Sequence, residues 1–442
     1  MSSQLIAILV LGGMFVIATV LPVNIGILAL VASFLVGTFV FGLEDKEIFE
    51  GFPVSLFITV VGVTYLFSVA KLNGTIDLLV EGGIRLVRGR AILVPWVLFA
   101  VAATLTALGT FTPAAVALLV PIGMSFAFAY RISPLMIGMM VICGAHAGAF
   151  SPMAVSGALV HGIVAKSGLT ISHAALFFAS LGFNVLLAAV TYVMLRRRGE
   201  ESFVERPDDV ASGGGVSGGG VSGGGVAEPT GGGVATAVRP EAVAVTWRQR
   251  ATLAALVVLV IGALAFHLQI GFLALAAGAV LALLDREHLG KAVEGISWPT
   301  ILLVAGMVTY VGVLEHSGTI DWVAHGAVGL GAPLLVALVL CVIVGVTSAF
   351  ASSTAILTAT IPMAIPLLLT DALPVAGVVA AMAISTTIVD VSPFSTNGAL
   401  VLANARGVDR TRFYRQVISY TCVIVGLGPI AAWAVLVLPG SF

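Results

Sequence analysis

The sequence predicts an all-α polytopic membrane protein of two inverted repeats, each with five spanning helices plus one re-entrant hairpin. Three observations predict it. Of 442 residues, 59% are hydrophobic and only 9% charged, with a mean hydropathy of +1.15, whereas a soluble domain carries about a quarter charged residues. Stretches of roughly 20 apolar residues recur, the length of a spanning α-helix rather than of the short alternating segments of an outer-membrane barrel. Landmarks of the first half also return in the second at constant spacing, the mark of an internal repeat. The composition excludes soluble enzymes and secreted disulfide scaffolds. A net charge of −1 calls for no polyanion or nucleic acid, and the expected surroundings are a lipid bilayer.

Taken in order, apolar runs near 4–22, 24–43 and 52–71, a bent region 92–128, then 134–160 and 171–195 form the first repeat, residues 1–198. The run from Leu5 to about Leu21 has no basic flank and no A-x-A cleavage site, so it reads as a first spanning helix rather than a signal peptide. Residues 199–246 are polar and low in complexity, with the repeat GGGVSGGGVSGGGV between Gly213 and Gly233; such composition predicts a flexible linker. The second repeat, 247–442, gives 250–267, 270–284, 298–315, 333–370, 375–402 and 413–438.

Gly74-Thr75-Ile76-Asp77 recurs as Gly318-Thr319-Ile320-Asp321, each after a Thr-Tyr pair, Thr64-Tyr65 and Thr309-Tyr310. Ser151-Pro152 with Gly157-Ala158-Leu159-Val160 recurs as Ser392-Pro393 with Gly398-Ala399-Leu400-Val401, offset by 241, and the same offset places Thr112-Pro113-Ala114 on Ser353-Thr354-Ala355. Treating the regions around Thr112 and Ser353 as re-entrant leaves five crossings per half, an odd number that inverts the second half. With both termini outside and the linker cytoplasmic, eighteen of the twenty basic residues fall inside, all but Lys46 and Lys166, as the positive-inside rule requires. The expected location is the cytoplasmic (inner) membrane. Cys143, Cys341 and Cys422 all lie in apolar runs without CxxC spacing and are expected to be small buried hydrophobes.

Inverted repeats with interrupted helices are the architecture of secondary transporters, whose sites form where half-helices meet. Non-helical backbone in hydrocarbon is tolerated only where it is buried or lines a cavity. Four segments have that character. Two are hairpin tips, carrying Thr110, Thr112 and Pro113 in one and Ser352, Ser353 and Thr354 in the other, hydroxyls beside helix N-termini where an anion can bind. Two are helix breaks, carrying Gly148, Ser151, Pro152 and Ser156 in one and Thr387, Ser392, Pro393, Ser395, Thr396 and Asn397 in the other, where Pro frees carbonyls and amides.

Asp390 is the acid placed deep in the membrane, by default a functional group; it is read as a Na⁺ ligand, a proton carrier or a cap that holds its break open. His146, near the equivalent position of the first half, is either a packing residue or a proton or substrate group. Gly148 and Thr387 complete the candidate ion-coupling set, with Na⁺ possible near Thr112, Ser353 and Asp390. No Lys or Arg falls in these segments, so an anionic substrate needs amide dipoles, hydroxyls and a co-bound cation to offset its charge.

The run Phe52-Pro53-Val54-Ser55-Leu56-Phe57, through Gly62-Val63-Thr64-Tyr65-Leu66-Phe67 to Asn73-Gly74-Thr75-Ile76-Asp77, resembles the N-terminal domain of the MatC malonate or dicarboxylate carriers. The layout as a whole is similar to the ion transporter superfamily of divalent anion:sodium symporters, citrate carriers and arsenite permeases. The resemblance implies a homodimeric elevator-type carrier. It also implies a Ser-Asn-Thr motif at each tip, from which this chain departs with Phe111-Thr112-Pro113 and Ser352-Ser353-Thr354. The expected function is secondary active transport of a small dicarboxylate, malonate or a C4 acid, coupled to Na⁺ or H⁺, with no cofactor. The alternative is a cation/proton antiporter of the same architecture using Asp390. No HExxH or paired acids suggest an enzyme, and G-x-S-x-G occurs only within the Gly-rich repeat of the linker.

Overall fold

The computed structural model describes residues 2–21, 23–85, 91–196, 245–266, 268–284, 289–320, 322, 333–350, 353–369, 373–405 and 408–440. Most of the predicted linker, including Gly213 to Gly233, and Asp321, Ser352, Arg88, Arg90, Arg197, Arg198, Arg206, Arg239, Arg286 and Arg406 lie outside the described residues. Nineteen α-helices and no strand occur among the described residues.

In the first half these are α1 (Ser3–Val20), α2 (Ile25–Val40), α3 (Asp45–Glu50), α4 (Val54–Leu72), α5 (Thr75–Arg85), α6 (Val94–Ala107), α7 (Thr112–Ala129), α8 (Pro134–Gly148), α9 (Val155–Lys166) and α10 (His173–Leu195). The second half gives α11 (Trp247–Leu264), α12 (Ile270–Leu284), α13 (Leu289–Glu294), α14 (Trp298–His316), α15 (Pro333–Ser348), α16 (Ser353–Leu368), α17 (Val375–Ile388), α18 (Thr396–Asn404) and α19 (Arg410–Leu436). The order predicted from apolar runs is present, with each bent run resolved into two helices. Five helices, α4, α7, α10, α14 and α19, are long and apolar enough to cross a membrane. Sequence reading placed α7 in a re-entrant hairpin, yet it is long enough to span by itself; its partner α6 is shorter.

The repeated Gly-Thr-Ile-Asp motif has a local cause. Gly74 and Gly318 end α4 and α14 with φ of +75° and +66°, the left-handed closing conformation that glycine adopts without strain.

Helices near the start of each half pack across the halves, α2 with α14 and α4 with α12. Both are glycine contacts: a Cβ on Gly306 would lie 1.9 Å from the Gly26 carbonyl oxygen, and one on Gly62 would lie 2.2 Å from that of Gly271. Small residues let backbones approach in this way where lipid gives no hydrophobic drive between helices. The exchange continues at the half-helices, α9 on α16 and α18 on α7. Within each half the hairpin grips its broken helix, α6 along α8 and α15 along α17.

Polar side chains fix the ends. Asn24 caps α2 by accepting from the Gly26 amide and donates to the Pro299 carbonyl at 2.8 Å. Gln269 does the same for α12, accepting from Phe272 N–H and donating to the Ser55 carbonyl at 3.4 Å. Asn73 donates to Thr252 Oγ1 at 2.6 Å and Gln249 to the Gly74 carbonyl at 3.2 Å, so α4 ends beside the start of α11. That end of the bundle is the linker face. Since α2 finishes where α4 begins, the starts of α2 and α14 also lie at the linker face. Cys143 and Cys341 are buried as expected; Cys422 is not, and sits exposed on the outer face of α19.

Candidate functional site

The four interrupted segments surround one cavity of about 400 Å³. First turns of four helices line it: Thr112 and Pro113 of α7, Ser156 of α9, Ser353 and Thr354 of α16, and Thr396 of α18. The first amides of a helix have no intrahelical acceptor and lie at the positive end of its dipole. His146 from the end of α8, Thr387 from the end of α17 and Asp390 from the second break complete the inner wall. Among the described residues, no Lys or Arg lines the cavity.

The remaining wall comes from Phe15 and Ala18 of α1, Asn24 and Ile25 at the start of α2, and Ser297, Pro299 and Thr300 at the start of α14. These residues were not foreseen. The signal was present, because Asn24 and Gln269, and Ser55 and Thr300, share the 245-residue offset of the Thr-Tyr pairs; single polar residues at helix starts read only as caps. They place the mouth of the cavity at the linker face. On the opposite face a narrower cleft of about 120 Å³ is lined by Lys166, Ser167, Gly312 and Glu315, with Lys166 donating to the Gly51 carbonyl at 3.1 Å.

The breaks are built by their own side chains. Ser151 Oγ donates to the Ala107 carbonyl at the end of α6 and accepts from the Met153 and Ala154 amides, which ties the first break to the first tip. Ser395 caps α18, accepting from the Gly398 amide and donating to the carbonyls of Asp390 and Ser392, each at 2.8 Å. Ser392 accepts from the Phe394 amide. In the second half the tip is held by Ser348 Oγ donating to the Thr386 carbonyl at 2.8 Å and by stacking of Phe350 on Phe394.

Asp390, His146 and Asn397 form a buried cluster, 8%, 2% and 0% exposed. Asn397 Nδ2 donates to Asp390 Oδ2 at 2.9 Å and lies 3.4 Å from His146 Nε2. His146 Nε2 stands 3.6 Å from Asp390 Oδ2. Among the described residues, the Asn397 Oδ1 has no hydrogen-bond partner, nor does the Oγ1 of buried Thr110.

Of the predicted residues, then, Thr112, Pro113, His146, Ser156, Ser353, Thr354, Thr387, Asp390 and Thr396 share one cavity. Asn397 stands directly behind them. Ser151, Ser392 and Ser395 stay within the breaks, and Thr110 is buried at its tip. Pro393 faces a separate groove with Ala399 and Arg410. Gly148 packs against α6, where a Cβ would lie 2.2 Å from the Ala103 carbonyl oxygen. The Thr387 hydroxyl donates back to the Ala383 and Ile384 carbonyls of its own helix.

Residues 1–149 match the sequence profile described as the dicarboxylate carrier protein MatC N-terminus. No curated protein sequence matches the chain. Among solved structures, that of the Alcanivorax borkumensis YdaH transporter is similar at a TM-score of 0.57 with 14% identity, covering 88% of this chain and 86% of that one. At this identity the likeness is one of fold.

Proposed function

We propose that the protein is a secondary active transporter of a small dicarboxylate, malonate or a C4 acid, coupled to Na⁺ or H⁺. The observation that carries this reading is the convergence of four helix first turns on one cavity whose wall, among the described residues, holds no Lys or Arg. Backbone amides and hydroxyls then supply the donors for carboxylate oxygens, and a co-bound cation offsets the remaining charge. The profile match of the first third to a dicarboxylate carrier supports the substrate class. The cross-half pairing of α2 with α14 and α4 with α12, and of α9 with α16 and α18 with α7, supports two inverted repeats, residues 1–198 and 247–442, joined by a cytoplasmic linker. In this reading α6/α7 and α15/α16 are re-entrant hairpins that move with the broken helices as an elevator past a fixed frame of α2, α4, α12 and α14. The carrier works as a homodimer in the inner membrane, with both termini outside.

Uptake of radiolabelled malonate and succinate into proteoliposomes, with Na⁺ and pH gradients imposed separately, tests it. Accumulation of either acid under one gradient is expected; uptake under neither defeats the reading. One observation favours a second reading: the buried Asp390 is already paired with His146, as an exchange site of a cation/proton antiporter would be. Cation-driven proton efflux with no uptake of either acid would select that alternative.

A further inference from the structure

Away from the central cavity, α10 and α19 enclose a groove of about 400 Å³ at the linker face. We propose that it binds an anionic phospholipid, with the phosphate held by Arg412 and Arg415 and one acyl chain lying between the two helices. The proposal goes beyond the transport reading and stands whichever acid or ion is carried.

The two helices run antiparallel here, α10 ending at the face where α19 begins. Leu187, Val190 and Met194 of α10 share one helix face by their spacing, as do Arg412, Arg415, Ser419 and Val423 of α19. At 1.5 Å per residue, Val423 lies about 12 Å deeper than Arg415, most of the roughly 15 Å that one leaflet contributes to the hydrocarbon core. The walls are tied together, since the hydroxyls of buried Thr191 and of Tyr420 share a hydrogen bond of 2.7 Å. Val190, Met194 and Val423 are 47%, 64% and 53% exposed, and in a bilayer such surface is covered by hydrocarbon chains.

Charge decides which chain-bearing molecule fits. Arg412 and Arg415 are exposed at the mouth, and neither guanidinium has an ion-pair partner among the described residues. The neighbouring acid, Asp409, instead caps α19 by accepting from the Arg412 backbone N–H at 2.8 Å. Two unpaired guanidiniums above an apolar groove call for a ligand with an anion at one end and hydrocarbon behind it. Guanidinium groups match phosphate oxygens bidentately, and basic pockets between transmembrane helices on the cytoplasmic side are where anionic headgroups bind. A free dicarboxylate or phosphate would leave the apolar length empty.

The cations are not a by-product of the internal repeat. The offset of 241 that relates the two breaks places Arg412 and Arg415 on Ile171 and Ala174, so the corresponding positions around the start of α10 carry no charge. α10 packs along α8 and α19 along α17. A lipid in the groove therefore braces helices that support both breaks, and its binding should register as stability.

The test titrates the full chain, purified in neutral detergent, with phosphatidylglycerol, phosphatidylcholine and inorganic phosphate in turn. Retained lipid is read by native mass spectrometry and stability by the detergent melting curve. Phosphatidylglycerol should bind saturably and raise the melting temperature, phosphatidylcholine should bind about tenfold more weakly or less, and inorganic phosphate should leave the curve unmoved. The double variant Arg412→Gln, Arg415→Gln should weaken phosphatidylglycerol binding by about tenfold or more. Arg410→Gln, at the same helix start but in the separate groove with Pro393, should not. Val190→Trp, which fills the groove and leaves the charges in place, should also displace the lipid, and it supplies the test if the double variant fails to fold. Equal binding of the two lipids, an equal loss with Arg410→Gln, or undiminished binding to folded Val190→Trp overturns the proposal. A melting shift with inorganic phosphate as large as that with phosphatidylglycerol overturns it too, in favour of a free-anion site.

Discussion

Two glycines set the shape of the breaks. A Cβ on Gly157 would lie 2.1 Å from the Ser151 carbonyl oxygen, and one on Gly398 would lie 2.0 Å from that of Ser392. The obstacle is backbone, so the turn itself must move, and overpacking of this kind costs about 1–3 kcal/mol. Gly157→Ala and Gly398→Ala are expected to lower the detergent melting temperature and reduce transport together. Gly12→Ala and Gly426→Ala, which meet nothing within 4 Å, should leave both unchanged, and equal effects in the two pairs would reject the argument. Thr112 and Thr396 make a different claim, since each offers a hydroxyl to the cavity from a helix first turn. A hydrogen bond to a charged group is worth about 1.5–3 kcal/mol. Thr112→Val and Thr396→Val should thus raise KM for the dicarboxylate by roughly one to two orders of magnitude at unchanged melting temperature.

Among the elements, the nine-residue α18 carries Thr396 in the cavity wall and Asn397 behind it. Its cap, Ser395, also holds the Asp390 carbonyl, so its loss touches both stability and the ionisable cluster. Ser395→Ala and Ser172→Ala each remove a helix cap worth about 1 kcal/mol, yet only the first should alter the pH dependence of uptake. Identical pH profiles in both variants would reduce Ser395 to a cap alone. The existence and order of the long helices were legible because hydrocarbon imposes length and apolarity on each run. The breaks were legible because Ser-Pro and Gly repeat at one offset, and the Asp390 position because charge is rare in such runs. What escaped was which helix touches which. Helices apolar on every face carry no stripe pointing to a partner, so the pairing of α9 with α16 left no periodic trace, and Asn24 and Ser297 at helix starts read only as caps. The short α3 and α13 escaped because six residues with charges resemble loop.

At the scale of the whole molecule, the proposed frame pairs α2 with α14 and α4 with α12, while its contacts with the remaining helices are uneven. α9 packs on α4 and α16 on α14, whereas α7 makes no comparable contact with α4, nor α18 with α14, among the described residues. Under the proposed inverted symmetry, those missing contacts are the counterparts of the ones present. Their absence leaves the wide cavity at the linker face, and their presence closes the opposite face to the narrow cleft around Lys166. Within the proposed elevator reading, this arrangement is the state open toward the linker face. In the transport cycle the moving unit would exchange one set of contacts for the other. A chain with Cys143, Cys341 and Cys422 replaced by Ala allows a direct check with single cysteines at Ser297 and Ser167, one in each opening. A membrane-impermeant maleimide should modify Ser297→Cys faster from the linker side and Ser167→Cys slowly from the other. External dicarboxylate at low pH should slow the first reaction and speed the second as the unit shifts. Rates that do not respond to substrate at either position would reject a moving unit and leave the asymmetry a fixed property of the fold.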